Sequence, residues 1–133
     1  MTTHPGRYPQ TKLRLVFDNG LVLGPGKIAL LEAISETGSI SAASRRTAIS
    51  YRKTRNLLDE LNSAFAQPLV LSSKGGAAHG GARLTALGEQ VIERYRKVEQ
   101  RTRASVDAHF TDLVSAQAVV DEEGHLEEKG PDN

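Results

Sequence analysis

Residues 38–61 read GSISAASRRTAISYRKTRNLLDEL, and this stretch decides the fold of the chain. Ser39 or Ser41 can accept the first free backbone amides of a short helix that runs to about Thr47. After a turn of three or four residues, Ser50 can cap the next helix in the same way. The stretch therefore predicts two consecutive helices joined by a tight turn.

The second of these helices carries an apolar stripe and a basic start. At 100° per residue, Arg52 and Asn56 fall almost opposite the stripe, whereas Lys53 and Arg55 lie on its flanks. We expect Pro68 to end the helix. The stripe itself consists of Thr54, Leu57, Leu58, Leu61 and Phe65. The basic residues of the first turns are therefore expected to point outward together.

A hairpin and a first helix are predicted ahead of this pair. Two β-favouring apolar runs at about 13–23 flank Asn19-Gly20, a dipeptide that supplies the positive φ angles of a tight turn. Gly24-Pro25-Gly26 breaks the strand pattern, and apolar residues then recur at helical spacing until Gly38, which suits a C-terminal cap. These apolar residues are Ile28, Leu30, Leu31 and Ile34.

A second hairpin and a long helix are predicted behind it. Residues 69–74 form a strand pattern, 75–81 a glycine-rich tip and 82–85 the returning strand. Thr85 can cap a long helix in which the apolar spacing is regular at first and shifts face beyond Thr102. The regular positions are Leu84, Leu87, Val91, Tyr95 and Val98.

The order helix, helix, basic helix, hairpin is that of a winged helix-turn-helix. The major groove of DNA is about 12 Å wide and admits one α-helix, whose first turns approach the base edges. We therefore predict a mainly α fold with small β-hairpins. Residues 12–113 would form the winged helix-turn-helix domain with its long C-terminal dimerisation helix, between a loose N-terminus at 1–11 and an acidic disordered tail at 114–133.

Charge is distributed unevenly along the chain. Residues 1–113 hold 16 Lys/Arg and 10 Asp/Glu, a net charge of +6, whereas 114–133 hold one Lys and six acids, a net charge of −5. The densest cluster places five positive charges and no acid within residues 45–55. Charge alone fits a solvated helix face and a nucleic-acid surface equally well. The position of the cluster on paired helices favours DNA.

The candidate DNA contacts follow from these positions. Arginine pairs bidentately with guanine edges or phosphates and lysine acts as a point charge, so Arg52, Lys53 and Arg55 are predicted contacts. Ser50 and the helix N-terminus would hold a phosphate, and Tyr51 either donates its hydroxyl to phosphate or packs at the core margin. The candidates on the preceding helix and the wing are Arg45, Arg46, Lys74, His79 and Arg83. A solvated face is the alternative for the first two.

The same segments resemble a known family, the ModE-type molybdate-responsive regulators, whose N-terminal DNA-binding domain is a relative of the LysR-type winged helix. The resemblance covers about 12–100 and rests on the order of its segments: Gly38 to Ala43, Ile49 to Arg52, Leu58 to Asn62, Pro68 to Val70, Gly75 to Thr85, and Gly88. It implies a transcriptional regulator, usually a repressor of molybdate-uptake genes. It also implies a homodimer, paired through the long helix, that binds a pseudo-palindromic site in double-stranded DNA with the helix at Ser50 in the major groove.

The sequence departs from the family pattern in two places. Thr47-Ala48 stands in the turn where such families usually carry an apolar residue and glycine, so we expect this backbone to manage without a positive φ or to distort slightly. Nothing after Leu113 is expected to fold into the oxyanion-binding domain with which full-length ModE proteins sense molybdate. No cofactor is therefore predicted, and molybdate enters by resemblance alone.

Other function classes find little support in the sequence. The chain has no Cys, and its four His are scattered without the spacing of metal ligands. The loop at 75–81 lacks the Gly-Lys-Ser/Thr ending of phosphate-cradling loops, and the neighbouring acids Asp59 and Glu60 diverge by about 100° on a helix. We therefore predict no enzyme and no metal.

Two further expectations concern location and partners. The apolar runs are short and the N-terminus lacks a signal-peptide core, so we expect a cytoplasmic protein without a membrane partner. The alternative function is a protein-interaction module that partners or antagonises a full-length regulator, with the acidic tail competing for the basic face. A sensor that binds a small oxyanion at a helix N-terminus is a third possibility, for which the sequence offers no dedicated residues.

Overall fold

Four α-helices and two small antiparallel hairpins build the described part of this computed structural model, which comprises residues 9–73, 81–116, 118 and 124. The helices make it 64% helical, so the predicted mainly α fold is confirmed. The elements in chain order are β1 (Leu15–Val16), β2 (Val22–Leu23), α1 (Pro25–Thr37), α2 (Ile40–Thr47), α3 (Tyr51–Ala64), β3 (Val70–Ser72), β4 (Ala82–Leu84) and α4 (Ala86–Phe110), followed by a 3-10 helix (Thr111–Ala116).

The chain divides into two units. Residues 12–100 form the first unit, which contains the hairpins, α1 to α3 and the first fifteen residues of α4. Residues 1–11 and 101–133 are grouped in the second unit, whose described helical part is the end of α4 and the 3-10 helix. None of the described helices is long and apolar enough to cross a membrane.

The first hairpin forms around Asn19-Gly20, with one difference from the prediction. β1 and β2 pair in the register Leu15 with Leu23 and Val16 with Val22. Only Gly20 adopts a positive φ, at 93°, and its N–H donates to the Phe17 carbonyl at 3.0 Å. The loop therefore spans three residues, 18–20, instead of a two-residue turn. Asn19 turns its side-chain amide to the Ala64 carbonyl at 2.8 Å, which joins this loop to the end of α3.

The corner between α1 and α2 follows the predicted caps. Pro25 stands at the start of α1, where its missing N–H costs nothing. Gly38 ends the helix with φ 67°, and its N–H donates to the Ile34 carbonyl at 2.9 Å. Ser39 then caps α2, since its hydroxyl oxygen accepts the Ala42 N–H at 3.1 Å. Only the two capping residues, Gly38 and Ser39, therefore separate α1 from α2.

The turn between α2 and α3 contradicts the expectation for Thr47-Ala48. Ala48 has φ 56° and ψ 34°, so a non-glycine residue occupies the left-handed region. The hydrogen bonds of the turn explain this conformation: the Ala48 N–H donates to the Arg45 carbonyl at 3.2 Å and the Ile49 N–H to the Ser44 carbonyl at 3.0 Å. A left-handed Ala costs about 1–2 kcal/mol relative to the right-handed region, and the rest of the fold offsets that cost.

The end of α3 also differs from its prediction. The helix ends at Ala64, four residues before Pro68, because Phe65 is extended and its ring meets Phe17 edge to face at 6.0 Å. The Asn62 side chain connects the end of α3 to the start of β3. Its side-chain oxygen accepts the N–H groups of residues 69 and 70 at 2.9 and 3.0 Å, and its amide donates to the Val70 carbonyl at 3.0 Å. The chain is thereby directed into β3.

The second hairpin, the wing, is joined to the α1–α2 corner. β3 and β4 pair in the register Val70 with Leu84, Leu71 with Arg83 and Ser72 with Ala82. Gly81 forms a bridge with Ser39, and the Ala82 N–H donates to the Gly38 carbonyl at 2.9 Å. The corner therefore acts as a third, one-residue strand beside the wing. The predicted tip up to residue 80 lies outside the described residues.

The hydrophobic core contains the predicted apolar stripe of α1 and part of the predicted apolar stripe of α4. Each of the predicted apolar residues of α1 is fully buried. In α4, Tyr95 is buried and its hydroxyl donates to the Leu13 carbonyl at 2.7 Å, while Leu87 and Val91 pack against the core and Val98 is exposed. Burial raises the pKa of Tyr95, with a smaller contribution from the Glu99 carboxylate. The stripe that we expected to pair two subunits is thus largely covered by its own core.

A network of two ion pairs centred on Arg96 links α4 to α1. Arg96 donates to Glu32 through two nitrogens, at 2.5 and 3.1 Å, and to Glu99 at 2.8 Å. Its pKa is raised above the ordinary arginine value, chiefly by the hydrogen bonds to these two carboxylates. Because the bond to Glu32 is bidentate, it links α4 to α1 in a defined side-chain geometry.

Gly88→Ala tests the close approach of α4 to β3. A Cβ at this position would overlap the Leu69 carbonyl oxygen and lie 3.2 Å from its carbonyl carbon. We expect the free energy of unfolding to fall by about 2 kcal/mol or more, as measured by urea denaturation. Gly26→Ala is the matched control, because nothing lies within 4 Å of its Cβ and helix propensity favours Ala by about 0.5–1 kcal/mol. Equal stabilities of the two variants would contradict the close contact.

Ala48→Gly tests the left-handed turn. Glycine adopts a φ near 56° without steric cost, so we expect the free energy of unfolding to rise by up to about 1 kcal/mol. Ala29→Gly, inside α1, should lower it by about 0.5–1 kcal/mol. Thermal and urea unfolding of both variants measure the contrast. A loss of stability at residue 48 equal to that at residue 29 would rule out the positive φ.

Candidate nucleic-acid interface

The start of α3 is fixed by Ser50. Its hydroxyl oxygen accepts the Lys53 N–H at 3.1 Å, and its carbonyl accepts both the N–H and the hydroxyl of Thr54 at 2.9 Å. Thr54 is fully buried beneath this turn. Because Thr54 is buried, the first turn of α3 has a defined orientation about the helix axis. This orientation sets the directions in which residues 51–53 point.

The predicted contact residues at this end of α3 face outward. Arg52 and Lys53 are exposed, and Arg55 is half-buried on the flank of the helix. Tyr51 is 53% exposed, which places its ring outside the buried core and leaves the hydroxyl free to face a ligand. The structure thus places these four residues in the first turns of α3, next to its capped N-terminus.

The two arginines of α2 lie in its last turn and are both exposed. Arg45 donates to the Ser41 hydroxyl at 3.2 Å. Arg46 donates to Glu36 at 2.5 Å, an ion pair that crosses from α2 to the last turn of α1. We use the name basic surface for the residues on either side of the α2–α3 turn that are predicted to contact DNA: Arg45, Arg46, Ser50, Tyr51, Arg52, Lys53 and Arg55.

The wing contributes one described candidate. Arg83 is exposed in β4, opposite Leu71, which is itself 39% exposed. Lys74 and His79 lie outside the described residues, so their predicted contacts stay predictions. The bridge between Ser39 and Gly81 ties the described part of the wing to the start of α2, which fixes where the wing leaves the domain.

The electrostatics of the basic surface follow from its composition. Residues 45–55 contain no acid, and Glu36 is the acid that pairs with this surface among the described residues. A cluster of guanidinium and ammonium groups around a helix N-terminus can bind phosphate and hydrogen-bond base edges. Among the described residues, no group of three or more His, Asp or Glu side chains could hold a metal ion.

The pairing of Glu36 with Arg46 was missed by sequence reasoning. The two residues stand ten positions apart, on different helices, and no local pattern relates them. Their meeting depends on the angle between α1 and α2, which the corner at Gly38 sets. A charged residue in the last turn of one helix and another in the last turn of the next is the signal that could have found it.

The sequence of this chain is similar to the N-terminal part of larger proteins. No protein-family model matches the chain. Over 80 residues, 60% of the chain, it is 42% identical to the molybdenum-pterin-binding protein MopB of Rhodobacter capsulatus, of which it covers 30%. Over 95 residues, 71% of the chain, it is 33% identical to the DNA-binding transcriptional dual regulator ModE of Escherichia coli K12, of which it covers 36%. The chain thus spans about a third of the length of these curated relatives and corresponds to their N-terminal part.

A solved structure shows the same fold. The crystal structure of the CbnR DNA-binding domain in complex with DNA superposes with a TM-score of 0.52 over 65% of this chain and 94% of that one. The sequence identity is 23%, so the likeness is one of fold. The predicted winged helix-turn-helix with its long C-terminal helix is confirmed.

Proposed function

We propose that this chain, which is homologous to the N-terminal third of ModE-type proteins, binds double-stranded DNA as a dimer and regulates transcription. In the proposed complex, the N-terminus of α3 enters the major groove and the wing contacts the flanking backbone. One observation carries the proposal: Tyr51, Arg52 and Lys53 are exposed at the capped start of α3, and Arg45 and Arg46 are exposed at the end of the preceding helix.

The chemistry of the α3 start supports a division of roles. The first N–H groups of a helix lack intrahelical partners, and Ser50 satisfies the one at Lys53. The N–H groups of residues 51 and 52 can therefore bind a phosphate that the neighbouring cations attract. Arg52 lies opposite the buried Thr54 and Leu58, so it reaches furthest into a groove and is the proposed base contact. Lys53 and Arg55 on the flanks would contact phosphates.

The regulated genes are proposed from the relatives. The MopB name refers to molybdenum-pterin binding and the E. coli ModE name to dual transcriptional regulation. We therefore propose a role at genes of molybdenum metabolism, with repression by occupation of a promoter site. Reporter expression with and without the protein tests the sign of regulation.

Arg52→Ala and Lys53→Ala test the division of roles. A random duplex pool is first selected against the wild-type protein, and affinities for the selected site and a scrambled duplex are measured by fluorescence anisotropy at several salt concentrations. Arg52→Ala should lose about 1–3 kcal/mol on the selected site and most of its sequence preference. Lys53→Ala should weaken both duplexes alike and reduce the salt slope by about one per subunit.

The control for these variants is Lys97→Ala, which removes the same charge from the exposed side of α4. It should leave both affinities within about twofold of wild type, because a distant surface charge is screened at moderate salt. Unchanged binding by Arg52→Ala and Lys53→Ala would show that α3 is not the DNA reader. Failure of the wild-type protein to bind any duplex at low salt would favour the protein-interaction module instead.

The proposed dimer contact lies at the end of α4 and in the 3-10 helix that follows, beyond the apolar stripe of the first half of α4. Leu87 and Val91 pack against the core of their own chain, whereas Phe110 is 41% and Leu113 55% exposed. Phe110→Asp with Leu113→Asp should shift the protein from dimer to monomer at tens of micromolar, measured by light scattering after gel filtration. Val16→Asp, at the most exposed apolar residue of the first hairpin, is the control and should stay dimeric. A monomeric wild-type protein at that concentration would contradict the dimer.

A further inference from the structure

Arg46 differs from the other cations of the basic surface in already holding a carboxylate. Its guanidinium donates to Glu36 Oε2 at 2.5 Å, and the two side chains remain 51% and 65% exposed. The neighbouring Arg45 instead donates to a neutral hydroxyl, that of Ser41, at 3.2 Å. The basic surface therefore carries one cation that is occupied before any DNA arrives, and one acid that stands at its edge.

The α1–α2 corner does not need this ion pair for its geometry. Gly38 and Ser39 form their cap hydrogen bonds, and Ile40 and Ala43 are buried against the core. An ion pair as exposed as this one adds little to stability, since water and salt compete for both groups. We therefore expect the ion pair to affect the binding of a ligand by Arg46 more than the stability of the fold.

We propose that Glu36 competes with a DNA phosphate for Arg46 and thereby lowers the affinity of the basic surface for DNA. The inference rests on the proposed DNA binding. A guanidinium offers carboxylate and phosphate the same pair of N–H donors, so one must leave before the other binds. The freed carboxylate then stands beside the phosphate and repels it. Both effects weaken backbone binding without touching the base contact at Arg52.

A double-mutant cycle tests the competition. Dissociation constants of the wild type, Glu36→Gln, Arg46→Gln and the double variant are measured on the selected duplex and on a scrambled duplex, between 50 and 200 mM salt. With Arg46 present, Glu36→Gln should tighten binding to both duplexes about threefold to fivefold and steepen the salt slope by about one per subunit. With Gln at position 46, the gain should be smaller and the slope unchanged.

Two matched variants separate competition from a general change of charge. Glu60→Gln also removes one acid and breaks an ion pair, with the largely buried Lys27 at 3.4 Å, but frees no cation of the basic surface. It should not steepen the salt slope. Arg45→Gln should weaken binding by the same factor whether Glu or Gln stands at position 36. Thermal unfolding of every variant confirms that the fold is retained.

The outcomes are distinct. Equal gains from Glu36→Gln in both backgrounds would show that Glu36 acts only as a charge, and would overturn the proposed competition. A loss of affinity in Glu36→Gln would show that the carboxylate positions Arg46 for DNA, which also overturns it. If the wild type binds no duplex, the proposed function itself fails, and the inference fails with it.

Discussion

The backbone reversal at Gly38 is the constraint on which the rest of the first unit depends. Its left-handed φ ends α1, and the next residue caps α2, so the angle between the two helices is set with no intervening loop. The Gly38 carbonyl accepts the Ala82 N–H, and this hydrogen bond brings the wing to the corner between α1 and α2. Because α3 follows α2 after a short turn, the direction of the basic surface is also determined here. The cap, the wing and the candidate interface thus share one structural origin.

Side-chain hydrogen bonds join distant parts of the first unit. Tyr95 reaches the backbone ahead of β1, Asn62 directs the chain from α3 into β3, and Arg96 joins α4 to α1 through Glu32. The contacts of Tyr95 and Asn62 give hydrogen-bond partners to backbone groups. Since the fold does not rely on the cations of α3, their charge is available for an anionic ligand.

Short-range patterns in the sequence predicted most of this arrangement, and long-range contacts account for what they missed. The caps at Gly38 and Ser50 depend on neighbours within four residues, so composition was enough to find them. Ala48 took a conformation that its side chain disfavours, because the hydrogen bonds of the turn outweigh local preference. The apolar spacing from Leu87 to Val98 could not show whether a second chain or the chain's own core covers it. The meeting of Glu36 with Arg46 required the helix angle itself.

The contact at Gly88 has a mechanical consequence. The backbone of α4 lies directly against the Leu69 carbonyl at the foot of the wing, and the Thr85 hydroxyl donates to the Pro68 carbonyl at 2.8 Å. Because no side chain separates the two backbones, a rotation of α4 about its axis would bring it into steric conflict with the chain at Leu69. Such a rotation would therefore displace the backbone at the foot of the wing. The absence of a Cβ at Gly88 thus couples the orientation of α4 to the position of the wing.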